Sequence, residues 1–152
     1  MAVEVGEWVI DSALRQLGLW RQIGLDLPVS VNVSAEQLQQ PTFLARLRTL
    51  LQAHPTVERG ALEIEVLESS ALADLEHIAQ LMRECADIGV SFALDDFGTG
   101  YSSLLYLKHL PANTLKIDQN FVRHLLDDTD NLSILDGILA RARSFGRTTV
   151  AE

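Results

Sequence analysis

Five short β-branched or aliphatic runs in this sequence each end in a side chain able to hold a cation, move a proton or grip a phosphate. The residues are Asn32, Glu65, Asp95 with Asp96, Lys116 and Glu152. Amide and carboxylate oxygens, with a single cysteine and no two histidines at ligand spacing, suit hard cations, Mg²⁺ or Mn²⁺, better than zinc or copper. A lysine among them would hold a phosphate oxygen or an acidic water. Taken singly, each residue has an ordinary explanation. Asn32 would bond to loop backbone, Glu65 would be solvated on an alternating strand, Lys116 would pair with Asp118, and Glu152 would sit at a frayed end. Their recurrence at the same place in successive units separates them from scattered surface charge.

Asp95 and Asp96 impose the hardest constraint on the elements around them. Neighbouring strand residues point to opposite faces, so both carboxylates address one site only if the strand ends or distorts there. Gly98 and Gly100 supply the conformational freedom for that distortion, and Ser102 and Ser103 offer a helix N-cap beyond it. Two carboxylates this close repel, raising the pKa of one of them unless a cation lies between.

The elements that position these residues alternate. Val5, Val9, Ala13, Leu17 and Trp20 recur at helical spacing and predict a first helix of about five turns. A strand over Val29 to Ser34 follows Pro28, and Leu38, Phe43, Leu44, Leu47 and Leu51 predict another helical stretch ending before Pro55. Ala61 to Leu67 is the next strand. Leu72, Leu75, Ala79, Met82 and Ala86 mark a helix stopped at Gly89 by a left-handed C-cap, and the aspartate strand comes directly after it. Leu104 to Leu107 allow a short helix, broken by Pro111, and Thr114 to Asp118 is a strand. Leu132, Leu135, Leu139, Ala142 and Phe145 line a helix closed by Gly146, and Thr148 opens a fifth strand. Strands alternating with crossover-length helices predict an α/β fold with a parallel sheet whose carboxyl ends gather on one face.

Composition excludes several functions. At 152 residues and 47% hydrophobic, the chain is sized for one domain with a sizeable core. A formal net charge of −9 repels DNA over long range, so an anionic ligand needs cations or local donors. No apolar run approaches the ~20 residues of a membrane span, and Met1 to Glu4 lack the basic and apolar parts of a signal peptide, so a cytoplasmic chain is expected. A parent protein tethered to the membrane through other domains is compatible with this. Cys85 lies in a helical pattern and reads as a small core residue. His54, His77, His109 and His124 read as solvent-facing.

Several stretches, taken together and in order, resemble the EAL domain of bacterial cyclic-di-GMP phosphodiesterases. They are Val31-Asn32-Val33-Ser34, Leu62 to Ser69, Leu94-Asp95-Asp96-Phe97-Gly98-Thr99-Gly100-Tyr101-Ser102-Ser103, Leu110-Pro111 and Leu115-Lys116-Ile117-Asp118. The long aspartate-glycine run is the specific part; Asn-Val-Ser alone is weak. The resemblance implies a (β/α)8 TIM-type barrel that linearises cyclic-di-GMP to pGpG by two-metal hydrolysis. On its pattern Asn32, Glu65 and Asp95 bind a first metal, and Asp95 and Asp96 a second. Lys116 steadies a water or phosphate oxygen, and Glu152 binds a metal or activates the attacking water. Glu68 anchors the glycine loop. Two cations about 4 Å apart would lower the pKa of a bridging water and stabilise charge on the attacking and leaving oxygens.

The sequence departs from the family pattern in two ways. Leu67 stands where members usually carry threonine. The Glu-Ala-Leu signature is not in the chain, nor is the Gly-Val-Glu continuation after Glu152 or the last strand with its glutamine. The expectation is therefore a single incomplete EAL domain over residues 1–152, a partial barrel of about five parallel strands with outer helices, out of eight. It would lack N-terminal strands and the C-terminal strand. Such a wall would expose two sheet edges and an apolar inner face and would self-associate. Its metal shell would be incomplete, making this portion inactive by itself. Two other readings stand beside it: a catalytically silent EAL-type module that binds cyclic-di-GMP or a protein partner, and an unrelated doubly wound metal-dependent phosphatase.

Overall fold

A computed structural model describes residues 2–98, 104–123 and 129–152. In chain order the elements are α1 (Ala2–Gln22), β1 (Val29–Asn32), α2 (Ala35–Leu38), α3 (Phe43–Ala53), β2 (Leu62–Leu67), α4 (Glu68–Ala73) and α5 (Leu75–Asp87). They continue with β3 (Ser91–Phe97), α6 (Leu104–His109), β4 (Thr114–Ile117), α7 (Gln119–Arg123), α8 (Thr129–Ser144) and β5 (Thr148–Ala151). The five strands form one sheet in the order β1-β2-β3-β4-β5, and every pairing is parallel. A doubly wound sheet reverses its strand order at a switch point, and this one does not. The succession is that of a (β/α)8 barrel wall, with strands in sequence order and a helical crossover between each pair.

Period-two alternation divides the sheet into two unlike faces. Val31, Ile64, Val66, Phe92, Leu94, Leu115 and Ile117 are buried in one apolar cluster with Leu14, Leu38, Leu47, Met82, Cys85 and Ala142 of the helices. Each such aliphatic side chain contributes ~1.5–3 kcal/mol by leaving water. The opposite face carries Ser30, Asn32, Glu63, Glu65, Ala93, Asp95, Thr114, Lys116 and Val150. That corrects the expected apolar interior: among the described residues the inner face is mainly polar, with Leu67 and Val150 as its exposed apolar members.

The helices end as glycine chemistry dictates. Gly89 has φ 88, its N–H bonds to Ala86 O at 3.0 Å, and Val90 N–H reaches back to Cys85 O at 3.0 Å. This is the double bond pattern of a left-handed C-cap. Gly146, with φ 65, repeats it at the end of α8 through Arg143 O and Ala142 O.

Helix faces and breaks were less legible. On α1 the buried residues are Ile10, Leu14 and Leu17, whereas Val5 is exposed and Val9, Ala13 and Trp20 pack only at the margin of the core. The predicted stripe was rotated toward solvent by about one residue. The stretch from Leu38 to Leu51 is two helices because Pro41, between them, has no N–H to continue the first. The stretch from Leu72 to Ala86 is likewise broken at Asp74, whose backbone leaves the helical region (φ −144). On α8, Ile138 and Ala142 are buried while Leu132 and Phe145 are exposed. Cys85 is fully buried, and burial pushes its thiol up to about 12, which suits a core residue and no nucleophile. No described helix is long and apolar enough to cross a membrane.

Candidate functional site

At the carboxyl ends of the strands one ammonium group is ringed by carboxylates. Lys116 Nζ lies 2.9 Å from Glu65 Oε2, 2.5 Å from Glu152 Oε1 and 3.4 Å from Asp95 Oδ1. Burial alone would lower its pKa; the hydrogen bonds it donates to Glu152 and Glu65 and the charges of Glu65 and Asp95 outweigh burial and raise it. Lys116 is therefore a permanent cation that keeps its charge near neutral pH. The ordinary alternative for Lys116, a pairing with Asp118, is not the one the fold makes. Register allows the meeting of Glu65 with Lys116 across β3: Glu65 pairs with Ala93, whose side chain is only a methyl group.

Asp95 and Asp96 do reach one place, through a distortion of β3. Pairing with β4 is regular at Ala93 and Leu94, then shifts before Phe97. Asp96 carries the turn itself, with φ 52, a left-handed conformation that aspartate tolerates better than most side chains. The expectation had assigned this distortion to Gly98 and Gly100. Gly98 has φ 101, but it follows the turn, and Gly100, Ser102 and Ser103 lie outside the described residues. Oxygens of Asp95, Asp96 and Glu152 come within 4.8 Å of one another. Asp96 is raised above the ordinary carboxylate range, first by burial and then by the charges of Asp95 and Asp118.

The donor set fits a hard divalent cation: three carboxylates, all oxygen, with neither thiolate nor imidazole among them. Glu65, 7% exposed, stands outside that trio and is held by Lys116. Asn32 is the last residue of β1, exposed and in register with Glu65, so it sits on the same rim. The sequence reading missed Asp118 as part of this site. It is buried, accepts the Asn120 N–H at 2.7 Å, and acts on Asp96 by charge and by a hydrogen bond. Its position one residue past the end of β4, two after Lys116, was the available signal.

Glu68 lies one layer behind. It is the first residue of α4, 2% exposed, and its two oxygens accept from the Gly98 N–H at 2.9 Å and from the Tyr106 hydroxyl. A buried carboxylate thus ties the segment following Asp96 to α6. Leu67, just before it, occupies the N-cap position of α4 and makes no side-chain cap, which a threonine there would be able to supply. Of the histidines, His77 and His109 are exposed and His124 is outside the described residues. His54 departs from expectation: it is half-buried, with Nε2 2.9 Å from Asp11 Oδ1.

The model of the EAL domain family matches residues 1–152. The bifunctional diguanylate cyclase/cyclic di-GMP phosphodiesterase MucR of Pseudomonas aeruginosa is 41% identical over 153 residues, covering 100% of this chain and 22% of that protein. The cyclic di-GMP phosphodiesterase PdeR of Escherichia coli is 35% identical, covering 100% of this chain and 23% of that protein. Among solved structures, the MucR phosphodiesterase in complex with c-di-GMP superposes with a TM-score of 0.91 at 41% identity, covering 98% of this chain and 60% of that one. The EAL domain of Mycobacterium smegmatis DcpA superposes at 0.89 with 36% identity, covering 99% and 68%. The chain spans less than a quarter of the length of these two curated relatives, and the family model matches all of it: it belongs to the EAL domain family.

Proposed function

We propose that residues 1–152 are the central portion of an EAL domain that hydrolyses cyclic-di-GMP to pGpG with two Mg²⁺ or Mn²⁺ ions. The observation that carries this reading is the rim on which Lys116 is bonded to Glu65 and Glu152, beside the oxygens of Asp95, Asp96 and Glu152. Asp95, Asp96 and Glu152, with Glu65 and Asn32 on the same rim, would hold the cations. When bound, the ions supply Lewis-acid stabilisation of phosphodiester charge and a water acidic enough to attack. Asp95, placed between Lys116 and Asp96, is the residue both ions would share. Lys116 keeps its charge at every working pH, so it orients a phosphate oxygen or the attacking water and does not act as a general acid. Glu152, bonded to Lys116, would accept the proton of that water. Glu68 holds the Gly98 amide and with it the backbone that aims Asp96. The phosphodiester of a dianionic nucleotide would meet net negative charge here without cations, which is why the reaction is expected to stop when they are removed.

The test is chromatography of cyclic-di-GMP incubated with Mg²⁺ or Mn²⁺, with and without chelator. Residues 1–152 alone are expected to bind metal weakly and to show no appreciable turnover, because Mg²⁺ takes about six oxygen ligands and two ions must be held. A protein extended at both ends to the length of the solved EAL chains is expected to form pGpG, and Asp95→Asn in it to abolish the product. Robust turnover by residues 1–152 would overturn the ligand count. Turnover persisting in the extended Asp95→Asn protein would overturn the role of Asp95. Nucleotide binding without turnover in the extended protein would establish the silent-module reading instead.

A further inference from the structure

Beneath the carboxylate rim, one layer deeper on the same face of the sheet, a second carboxylate is gripped from both sides by neutral hydroxyls. Glu63 Oε1 accepts from Ser30 Oγ at 2.9 Å, and Glu63 Oε2 accepts from Thr114 Oγ1 at 2.7 Å. Ser30 is Glu63's direct register partner on β1, whereas Thr114 is on β4, beyond β3. The Glu63–Thr114 contact therefore spans β3, as the Glu65–Lys116 contact does. The two contacts form parallel rungs from β2 to β4. Glu63 and Glu65 are two residues apart on one strand, and Thr114 and Lys116 are two apart on the other. Ala93 is in register with both Glu65 and Thr114, and its methyl group leaves the passage for both rungs.

We propose that Glu63 is a positioning residue for Lys116. The lower rung contains no metal ligand of the upper one and no second charge, so it fixes the offset of β4 against β2 whatever occupies the rim. Lys116, one pleat above Thr114, inherits that offset, and its ammonium is delivered to Glu65, Asp95 and Glu152 together. Without the lower rung the long lysine stem has rotamers that reach water instead. The idea rests on the cyclic-di-GMP reading only for its consequence on turnover; the placement of Lys116 is read on the side chain itself.

The experiment uses residues 1–152 and follows the side-chain ¹⁵N resonance of Lys116 and the hydrogen exchange of its ammonium by NMR, with thermal unfolding recorded in parallel. In Thr114→Val, which keeps shape but removes the donor, ammonium exchange is expected to accelerate at least ~10-fold, since each hydrogen bond held open exposes the protons to water. Thr114→Ser is expected to retain the native exchange rate. Glu63→Gln, whose amide still accepts from one hydroxyl and donates to the other, should stay close to native, whereas Glu63→Ala should match Thr114→Val. If Thr114→Val and Glu63→Ala leave the Lys116 signal and its exchange unchanged, the proposal is wrong. It is equally wrong if Glu63→Gln loses protection as fully as Glu63→Ala, since the negative charge and not the grip would then hold the lysine. Should Glu63→Ala fail to fold, the Thr114→Val and Thr114→Ser pair decides alone. None of these outcomes depends on whether cyclic-di-GMP is the substrate.

Discussion

Two aspartates in this chain are displaced in opposite directions, and the contrast predicts opposite responses to acid. Asp11 is lowered, chiefly by its hydrogen bond to His54 and further by Arg15, against an opposing effect of burial. A carboxyl held below its unfolded value contributes stability above the ordinary aspartate range and loses it as pH falls through the folded value. Asp96 is raised by burial and by Asp95 and Asp118. A carboxyl held above its unfolded value has the reverse sign: ionising it costs stability as pH rises above the ordinary range. Asp11→Asn should therefore destabilise the cation-free protein near pH 7 by up to ~1 kcal/mol, as expected of a half-exposed pair. That difference should shrink toward pH 3, as the carboxyl begins to take up its proton. Asp96→Asn, whose amide also tolerates φ 52, should leave the cation-free protein at least as stable near pH 7, with its advantage shrinking in acid. Urea unfolding at both pH values checks the two together. A loss of stability for Asp96→Asn at pH 7 without added cation would show that the carboxylate is satisfied by its surroundings and not repelled by Asp95 and Asp118.

Elements were legible where one residue type decides and illegible where a balance does. The five strands, their parallel order and the stops at Gly89 and Gly146 follow from β-branched runs and from glycine's access to positive φ, both local properties. The rim residues were legible for the same reason: Asn32, Glu65, Lys116 and Glu152 each sit where a strand ends. The buried face of α1 was not, because Val5, Val9 and Ala13 are as apolar as Ile10 and Leu14, and only the position of the sheet chooses between them. Asp118 was missed because its influence on Asp96 arises between β3 and β4, not along either. The glycine stops carry a graded prediction. A Cβ at Gly146 would meet nothing within 4 Å, so Gly146→Ala should cost only the ~1–2 kcal/mol of a left-handed alanine. At Gly89 a Cβ would lie 2.8 Å from Arg59 Cγ and 3.1 Å from its backbone Cα. The Arg59 guanidinium is meanwhile fixed by bonds to the Ala86 and Asp87 carbonyls. Gly89→Ala should therefore cost more, about 3 kcal/mol once the clash is added. Equal thermal shifts for the two variants would mean that Arg59 moves aside freely and the contact has no weight.

At the scale of the whole molecule, the sheet directs its unlike faces to unlike tasks, and its margins decide how the chain behaves in solution. The helix-covered face supplies the core; the open face is polar because it carries the two rungs and the rim. Apolar collapse of that open face is therefore not the reason to expect association. The edges are: β1 pairs only with β2 and β5 only with β4 among the described strands, so one side of each offers unpaired N–H and C=O groups. Edge β5 is the more exposed of the two. Its residues Thr148 to Ala151 contain no charge and no proline, and Val150 is 43% exposed. Self-association of residues 1–152 through β5 is accordingly expected as concentration rises, because a β-branched edge without a blocking charge pairs with another copy. Sedimentation velocity should show a concentration-dependent species larger than 16.8 kDa. Val150→Lys places a charge on that edge, in register with Lys116 of the open face and clear of the helix-covered core, and should shift the distribution toward monomer. A native chain that sediments as a single monomer at every concentration would remove the edge argument. A Val150→Lys chain that associates as strongly as the native one would move the contact to β1.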